Sequence, residues 1–461
     1  MNAKTAPLSV GTMAFAVAHA QSALTAWLFR CSISKIFVVL IAVGTLTTSL
    51  SSQICVHEQP PTWPNEQTTQ AEPSIAVWKD IILVAFVDTR HYNPLRPGRS
   101  SLVNVARSTD GGQTFQELGP PPPCAWCHGL SNPTLAASPS GVFYLCSLQE
   151  EYGLRVGLAR SEDGGASFTR PVLLPKVGEI PDLPHMVVNP ADERVYVAWA
   201  DLMLWQIFVA FSEDGGYTFA SPVPIGTPGP IPKHCPRLAV GNNNQIYIFW
   251  IQGNAIWGSM SKDRGLSWDE PVLLTKADLV WYLRDGITVP PIPQPAVDPL
   301  SGNIYIAFPS ASDALATDVF VMIVDSELNL ISPPKPVIQN FSPGQERFMP
   351  ATAISPNGVL GIAFYEREAF SGVVTLNVLV AFSTDQGESF WTQRISSAPF
   401  LSPPSYDPVR RPNYMGDYIA LVADARFFYV AWADTRHWVK TPSYKEGRPD
   451  LDVYFLKLPV P

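Results

Sequence analysis

Short runs of β-branched and aromatic residues recur along the chain from about residue 70 to residue 458. Four of these runs, at 84–86, 195–199, 246–250 and 304–308, have the length and composition of β-strands. Other apolar runs begin beside a proline, at 73–77, 133–135, 184–187, 236–240, 295–297 and 350–354. The pattern predicts an all-β fold that is built from repeated units.

A second pattern gives the length of the repeated unit. Five segments read Ser-x-Asp-x-Gly-x-(Ser/Thr)-(Phe/Trp) with small variations, at 108–115, 161–168, 212–219, 261–268 and 383–390. Their serines are 53, 51, 49 and 122 residues apart, and a degenerate copy at 324–330 lies inside the last, double step. A fixed period near ~50 residues with several strands per unit predicts a β-propeller.

The aspartates of these segments are expected to build turns. Asp-Gly and neighbouring glycines supply the positive φ angles of a tight hairpin, and an aspartate can accept backbone N–H bonds across such a turn. Identical residues repeated around a ring do not define one reaction centre. We therefore assign a structural role to the five repeated aspartates, Asp110, Asp163, Asp214, Asp263 and Asp385.

The last unit is incomplete, and this bears on the number of blades. Its strands are expected at 416–421, 428–432 and 453–456, and no repeat segment accompanies them. Because a ring must cover its edge strands, we expect residues 54–57 to supply the missing strand. The sequence thus predicts seven four-stranded blades over residues 72–461, preceded by a linker with the ring-closing strand at 53–71. Six blades with a divergent terminal element is the alternative.

Composition narrows the choice of partners. The chain has 46 prolines in 461 residues, about twice the usual ~5%, which favours short strands and stiff loops. Its formal net charge is -9, and no run of Lys or Arg stands out. A nucleic-acid partner and a membrane-surface role for the main body are therefore excluded.

Residues 1–52 have the features of a leader. An apolar stretch at 36–44 follows Arg30 and Lys35, and Ser49 and Ser51 are placed like the small residues of a signal-peptidase site. The stretch is short for a membrane span of ~20 residues. We expect export to an extracellular, periplasmic or cell-envelope location, with a retained membrane anchor as the alternative.

The repeat segments, their spacing and the seven-unit layout resemble the sialidase superfamily, the BNR-repeat or Asp-box propellers. Gly416-Asp417-Tyr418, followed by Ala-Asp-Thr-Arg at 433–436, is similar to bacterial exo-sialidase-like proteins. The resemblance covers nearly all of residues 72–458. It implies a propeller that acts on or recognises glycans, as an exo-α-sialidase-like glycoside hydrolase if it is catalytic. The superfamily also contains members without catalytic activity.

A sialidase of this kind implies three arginines for the sugar carboxylate, a tyrosine nucleophile activated by a glutamate, and an acid/base aspartate. The family's Phe/Tyr-Arg-Ile-Pro signature falls on Gln70-Ala71-Glu72-Pro73, so its first arginine is absent here. The candidates that remain are Tyr414, Tyr418 and Glu346 for catalysis, and Arg237, Arg347, Arg411 and Asp417 for substrate binding. The alternative interpretation makes them loop ion pairs and buried tyrosines.

Two further motifs leave more than one interpretation. Asp-Thr-Arg-His occurs twice, at 88–91 and 434–437, and fits either a ligand site or an Asp–Arg pair at the ring closure. Cys124, Cys127 and His128 form a Cys-x-x-Cys-His sequence, the attachment pattern of c-type haem. In an oxidising compartment, a local disulfide is the alternative. We expect no other cofactor, and no residue spacing specifies a metal site.

Three hypotheses follow. The first is an exported sialidase-like propeller with a glycan or another small ligand in its central funnel. The second is a non-catalytic propeller that binds protein partners. The third is a haem-bearing protein that uses the propeller as a scaffold.

Overall fold

Seven antiparallel sheets form a ring, so the fold is a seven-bladed β-propeller. The computed structural model of the chain describes residues 52–57, 66–92, 102–122, 128–150, 152–313, 316–339, 344–370, 372–402, 407, 409–410 and 413–461. The leader expected at 1–52 lies outside these residues, except for residue 52. The propeller prediction and the number of blades are confirmed.

Six blades follow one another along the chain, and each runs from an inner first strand to an outer last strand. Blade 1 contains β2 (Gln70–Trp78), β3 (Ile81–Asp88), β4 (Val103–Ser108) and β5 (Gln116–Gly119), after the short β1 (Ile54–Cys55). Blade 2 contains β6 (His128–Gly129), β7 (Thr134–Ala137), β8 (Phe143–Glu150), β9 (Leu154–Ser161) and β10 (Val172–Leu173). Blade 3 contains β11 (Pro181–Val188), β12 (Val195–Asp201), β13 (Gln206–Ser212) and β14 (Val223–Pro224).

The second half of the ring has the same order. Blade 4 contains β15 (Lys233–Val240), β16 (Ile246–Gln252), β17 (Ala255–Ser261) and β18 (Val272–Lys276). Blade 5 contains β19 (Gln294–Val297), β20 (Ile304–Asp313), β21 (Ala316–Val324) and β22 (Leu330–Pro336). Blade 6 contains β23 (Gln345–Ile354), β24 (Leu360–Phe370), β25 (Val373–Ser383), β26 (Trp391–Arg394) and β27 (Phe400–Leu401). Blade 7 contains β28 (Ala420–Ala423), β29 (Phe427–Val439) and β30 (Arg448–Pro459).

Blade 7 takes its fourth strand from the beginning of the described chain. β1 pairs with β30, with Ile54 opposite Phe455 and Cys55 opposite Tyr454. The sheet order is β1-β30-β29-β28, so β1 is the outermost strand. Two distant parts of the chain therefore share one blade, which covers the edge of β30 and closes the ring.

The five Ser–Asp–Gly turns, as we call the repeat segments, carry one common set of hydrogen bonds. In blade 2, the Ser161 hydroxyl donates to Asp163 at 2.7 Å and accepts the Gly165 N–H at 2.9 Å. The backbone N–H and the hydroxyl of Ser167 both donate to the Asp163 carboxylate, at 3.0 and 2.6 Å. The other four turns repeat these contacts. The carboxylate therefore holds the turn together.

Each of these turns also packs against the preceding blade. A Cβ atom built on Gly165 would lie 2.6 Å from the Leu83 side chain in blade 1, and one built on Gly112 would lie 2.6 Å from the Phe455 ring in blade 7. The glycines have φ angles of 78° and 86°, in the left-handed region that favours glycine. The turns thus join neighbouring blades, and their glycines are needed for both shape and space.

The bonds to the turn aspartates predict a loss of stability in acid. For Asp163 and Asp214, burial alone would raise the pKa, but hydrogen bonds from the turn outweigh it and lower the pKa to about 2. A carboxyl with a lowered folded-state pKa stabilises the fold above its unfolded-state pKa, and this contribution is lost as the pH falls through the folded-state pKa. We expect the thermal midpoint to fall between about pH 4 and pH 2. Asp163→Asn should flatten this pH dependence, whereas Glu179→Gln at the surface should leave it unchanged.

Candidate functional site

The first strand of most blades enters the ring through a bulge. The bulge residue has a left-handed backbone and precedes a proline at five positions, with φ angles between 47° and 55°: Glu72, Asn132, Leu183, Cys235 and Met349. In blade 7, Gly416 has the same backbone sign. Left-handed backbone costs a non-glycine residue about 1–2 kcal/mol. Because this conformation recurs at the same position of several blades, we attribute it to the start of the first strand. It buries the bulge side chains at one end of the channel.

The residues two positions after the bulges line the central cavity. One residue from each blade takes part: Ser74, Thr134, His185, Arg237, Gln294, Ala351 and Tyr418. We call this set the channel ring. The cavity holds about 150 Å³. The prolines that the sequence showed at the first strands therefore mark the residues of the channel.

Tyr418 is the channel-ring residue of blade 7, and it closes the side toward the bulges. Its hydroxyl donates to the Pro133 carbonyl at 3.0 Å. Its ring packs against Leu183 and Cys235, and the Arg237 guanidinium carbon lies 5.7 Å from the ring centre. Burial raises the pKa of Tyr418 well above its usual value. These contacts describe a fixed, protonated side chain.

Tyr414, the other candidate tyrosine, contacts a carboxylate that the sequence analysis did not select. Its hydroxyl donates to Glu72 Oε1 at 2.6 Å. The second oxygen of Glu72 accepts the backbone N–H of Asn132 at 3.0 Å and the Asn132 side-chain amide at 3.3 Å. The side chains are oriented by the bulge of blade 1 and are almost fully buried, at 2% exposure for Glu72 and 6% for Tyr414. This is a tyrosine with a proton acceptor in place.

A guanidinium group adjoins this tyrosine. The Arg410 guanidinium carbon lies 4.9 Å from the centre of the Tyr414 ring. Within the part of the chain that the structure describes, its buried Nε and Nη2 atoms have no hydrogen-bond partner. Burial raises the pKa of Tyr414 well above its usual value, and the positive charge of Arg410 opposes this shift. Asp417 lies near enough for its charge to act on Tyr414, Tyr418 and Arg410.

Glu346 and Arg347 start the first strand of blade 6, and both form buried ion pairs. Arg367 binds Glu346 at 2.6 Å and Asp285 at 3.1 Å. Arg347 binds Glu366 at 2.8 Å and lies 3.4 Å from a second acid, Asp318. Burial raises the pKa of Glu346, and it raises that of Asp318 to about 6. These contacts correspond to the ion-pair interpretation of Glu346 and Arg347.

Two of the three arginines of the expected carboxylate clamp, Arg237 and Arg347, have different surroundings. Arg237 belongs to the channel ring and Arg347 to the ion pairs of blade 6. Arg411 lies outside the described residues. The segment with Tyr414 does reach the neighbourhood of Glu346, because the Asn413 side chain donates to the Asp285 carbonyl at 2.7 Å.

A histidine–aspartate pair lies at the strand entries of blades 3 and 4. His234 Nε2 contacts the Asp182 carboxylate at 3.0 Å, and the imidazole packs near Trp281 at 5.4 Å between ring centres. Both residues directly precede a bulge, and their side chains are 18% and 27% exposed. Burial alone would lower the pKa of His234, but Cys235 and Asp182 outweigh it and raise the pKa to about 10. The Asp182 carboxylate thus favours the protonated form of the imidazole.

The repeated Asp-Thr-Arg-His motifs form local ion pairs. Arg90 binds Asp88 at 2.6 Å and Glu117 at 2.9 Å within blade 1. Arg436 forms the equivalent pair with Asp434 in blade 7. These contacts support the structural interpretation of both motifs.

One group of side chains has the composition of a metal site. One ligand atom each of His437, Asp450 and Asp452 lies within 4.8 Å of the others. His437 and His57 both contact the Asp452 carboxylate, at 3.1 and 3.3 Å. Because the two imidazoles already bind this carboxylate, we interpret the group as an ion-pair network that connects β1 with β30.

The haem hypothesis concerns a segment that is only partly described. Cys124 and Cys127 lie outside the described residues, and the backbone of His128 pairs with Glu150 in blade 2. The described cysteines, Cys55, Cys146 and Cys235, are free thiols. Within the described ranges, no helix is long and apolar enough to span a membrane.

Comparisons with known proteins support the architecture. No family model matches the sequence, and no curated protein sequence matches it either. An ulvan lyase, described as a polysaccharide lyase, is 11% identical, with 88% of this chain and 96% of that chain covered and a TM-score of 0.51. An α-L-arabinofuranosidase from Fusarium graminearum is 12% identical over 89% of this chain and 98% of its own, with a TM-score of 0.45. A Hadza microbial sialidase is 13% identical over 82% and 76% of the two chains, with a TM-score of 0.42. At these identities the similarity extends to the propeller fold.

Proposed function

We propose that the protein is a glycoside hydrolase acting on acidic glycans, with its reaction centre at Tyr414 and Glu72. The observation that carries the proposal is the 2.6 Å hydrogen bond from the Tyr414 hydroxyl to the buried Glu72 carboxylate. A nucleophile next to its base, with the base held by a third group, is the usual arrangement of an activated nucleophile. Here Asn132 holds Glu72 through two further hydrogen bonds.

The arrangement accounts for a two-step hydrolysis. The Tyr414 oxygen attacks the anomeric carbon and transfers its proton to Glu72, while the bond to the leaving oxygen breaks. A tyrosine nucleophile is the known exception to the two-carboxylate scheme of glycosidases, and sialidases use it. Water then attacks the same carbon and gives a proton to the imidazole of His234, which lost its own proton to the leaving oxygen in the first step, and the Tyr414 oxygen leaves and regains its proton from Glu72. Arg410, beside the tyrosine ring, stabilises the negative charge on the phenol oxygen.

Arg410 also determines the substrate class in this proposal. Its two buried nitrogens have no hydrogen-bond partner among the described residues. They can bind a carboxylate, because a guanidinium group binds carboxylates through paired hydrogen bonds. Ala71 stands where the sialidase signature has its first arginine, so the proposal extends to acidic sugars and is not restricted to sialic acid. The ulvan lyase of similar fold is described as bound to a glucuronate-containing fragment, which supports an acidic ligand. The leader-like segment 36–44 supports an exported enzyme.

His234 is the proton donor of the leaving group in this scheme. It is partly exposed beside Asp182, whose carboxylate favours the protonated form of the imidazole. His234→Gln should therefore slow the cleavage of a glycoside with a poor leaving group by about 10²-fold, and that of an activated aryl glycoside much less. Rates for the two substrate types with the wild-type protein and the variant measure this difference. Equal losses on both substrates would assign the proton transfer to another group.

The test of the proposal is a hydrolysis screen with the purified protein. Fluorogenic aryl glycosides of sialic acid, uronic acids and neutral sugars serve as substrates. We expect turnover of a glycoside that carries a carboxylate, and little or none of its neutral counterpart. A folded protein that cleaves none of these glycosides would instead support the non-catalytic binding propeller.

A further inference from the structure

The central channel contains a second group of polar residues, and the described residues that line its cavity include Tyr418 but not Tyr414. Among the described residues, Arg237 is the only arginine or lysine that lines this cavity, and it is 5% exposed. Among the residues that the structure describes, Arg237 forms no ion pair, and its Nη1 group donates to the Pro236 carbonyl at 2.9 Å. Asp417 and Asp182 act on its charge without forming an ion pair with it, and a buried charge without a directly bound counter-ion is costly.

Most of the other polar groups around the cavity can donate a hydrogen bond or have no described hydrogen-bond partner. His185 Nδ1 accepts the backbone N–H of Leu238 at 3.1 Å. Burial and the charge of Arg237 keep the pKa of His185 well below its usual value, so its imidazole is neutral and carries its proton on Nε2. The buried hydroxyl of Thr352, also in the lining, has no described partner. Gln294 contributes an amide, and the part of the lining that the structure describes contains no Asp or Glu.

We propose that the channel ring binds one small monovalent anion, of the size of chloride, beside Arg237. The described lining has one positive charge, that of Arg237, and no carboxylate. One bound monovalent anion therefore balances the charge of the cavity. The cavity of about 150 Å³ has room for such an ion and a few waters, since a water molecule occupies about 30 Å³. The site lies on the channel axis and contacts several blades, so the ion stabilises the ring.

The ion has a path from the opposite end of the propeller. The channel cavity shares Ile75, Leu135 and Val422 with a second cavity of about 330 Å³. Lys79, Arg426 and one acid, Asp424, line this second cavity, and the excess of one positive charge favours the entry of an anion. Entry therefore does not pass the Tyr414 centre, and the site is independent of the proposed hydrolysis.

Bromide replaces chloride and can be located by its anomalous scattering. Crystals of the protein grown with sodium bromide should show an anomalous peak within hydrogen-bond distance of the Arg237 guanidinium. A cavity that contains only water, or a peak only elsewhere, would overturn the proposal. This measurement needs no variant and no glycan, so its outcome is separate from that of the hydrolysis screen.

Thermal unfolding provides a second readout. At constant ionic strength, we expect a midpoint about 2–4 °C higher in sodium chloride than in sodium gluconate. Arg237→Gln should abolish this difference, whereas Arg394→Gln on an exposed outer strand should retain it. An equal response of the wild-type protein to both salts would contradict an anion site in the channel.

Discussion

Tyr414→Phe is expected to reduce kcat for the best substrate of the screen by roughly 10³-fold or more. The change removes one oxygen atom, which donates to Glu72 at 2.6 Å and is the proposed nucleophile. The buried ring and its contact with Arg410 are retained. Glu72→Gln should lower kcat by a comparable factor, because the amide cannot take up the phenol proton.

Tyr418→Phe is the matched control for this loss. Tyr418 has the same chemistry, but its hydroxyl donates to the Pro133 carbonyl and has no carboxylate acceptor among the described contacts. We expect its removal to change kcat less than about tenfold, with an effect mainly on stability, since a hydrogen bond contributes about 1 kcal/mol. A larger loss of kcat for Tyr418→Phe than for Tyr414→Phe would assign the nucleophile to Tyr418.

Gly165→Ala is expected to produce a large loss of stability for so small a substitution. The added Cβ atom would lie 2.6 Å from Leu83 of the preceding blade, at a position with φ of 78°. Left-handed strain accounts for about 1–2 kcal/mol, and overpacking a filled core adds typically 1–3 kcal/mol. We expect a decrease of about 3 kcal/mol in the free energy of unfolding, measured by denaturant titration.

Gly119→Ala separates strain from packing. Gly119 has φ of 81°, and a Cβ atom there would have no neighbour within 4 Å. This variant should lose only the strain contribution, about 1–2 kcal/mol. If both variants lost the same free energy, the turn glycines would have no special role in the contact between blades.

The architecture could be predicted because it repeats. Each Ser–Asp–Gly turn is a local structure whose hydrogen bonds lie within seven residues, so the pattern at 161–167 identifies a turn without knowledge of the rest of the chain. The regular spacing of these turns along the chain then gives the number of blades. The prolines at the first strands could also be identified from the sequence. The left-handed conformation of the residue before them could not, because non-glycine residues such as Leu183 rarely adopt a positive φ angle.

The reaction centre could be predicted only in part. Tyr414 was a candidate, but Glu72 was named only as part of Gln70-Ala71-Glu72-Pro73, the segment in which the sialidase arginine is missing. The two residues are 342 positions apart and meet because the ring closes between blade 7 and blade 1. Arg347 was selected as a substrate-binding candidate, but it forms ion pairs with Glu366 and Asp318. These partners lie on other strands, so the sequence around Arg347 does not predict them. The feature of the sequence that could have identified Glu72 is its carboxylate directly before a first-strand proline.

The most direct test is to trap the covalent intermediate. The protein is incubated with an activated, fluorinated derivative of the sugar that it cleaves, and the modified residue is identified by peptide mass spectrometry. We predict one sugar per protein, attached to Tyr414, and no attachment in Tyr414→Phe. A sugar attached to another residue, or turnover without any trapped intermediate, would contradict Tyr414 as the nucleophile of this propeller.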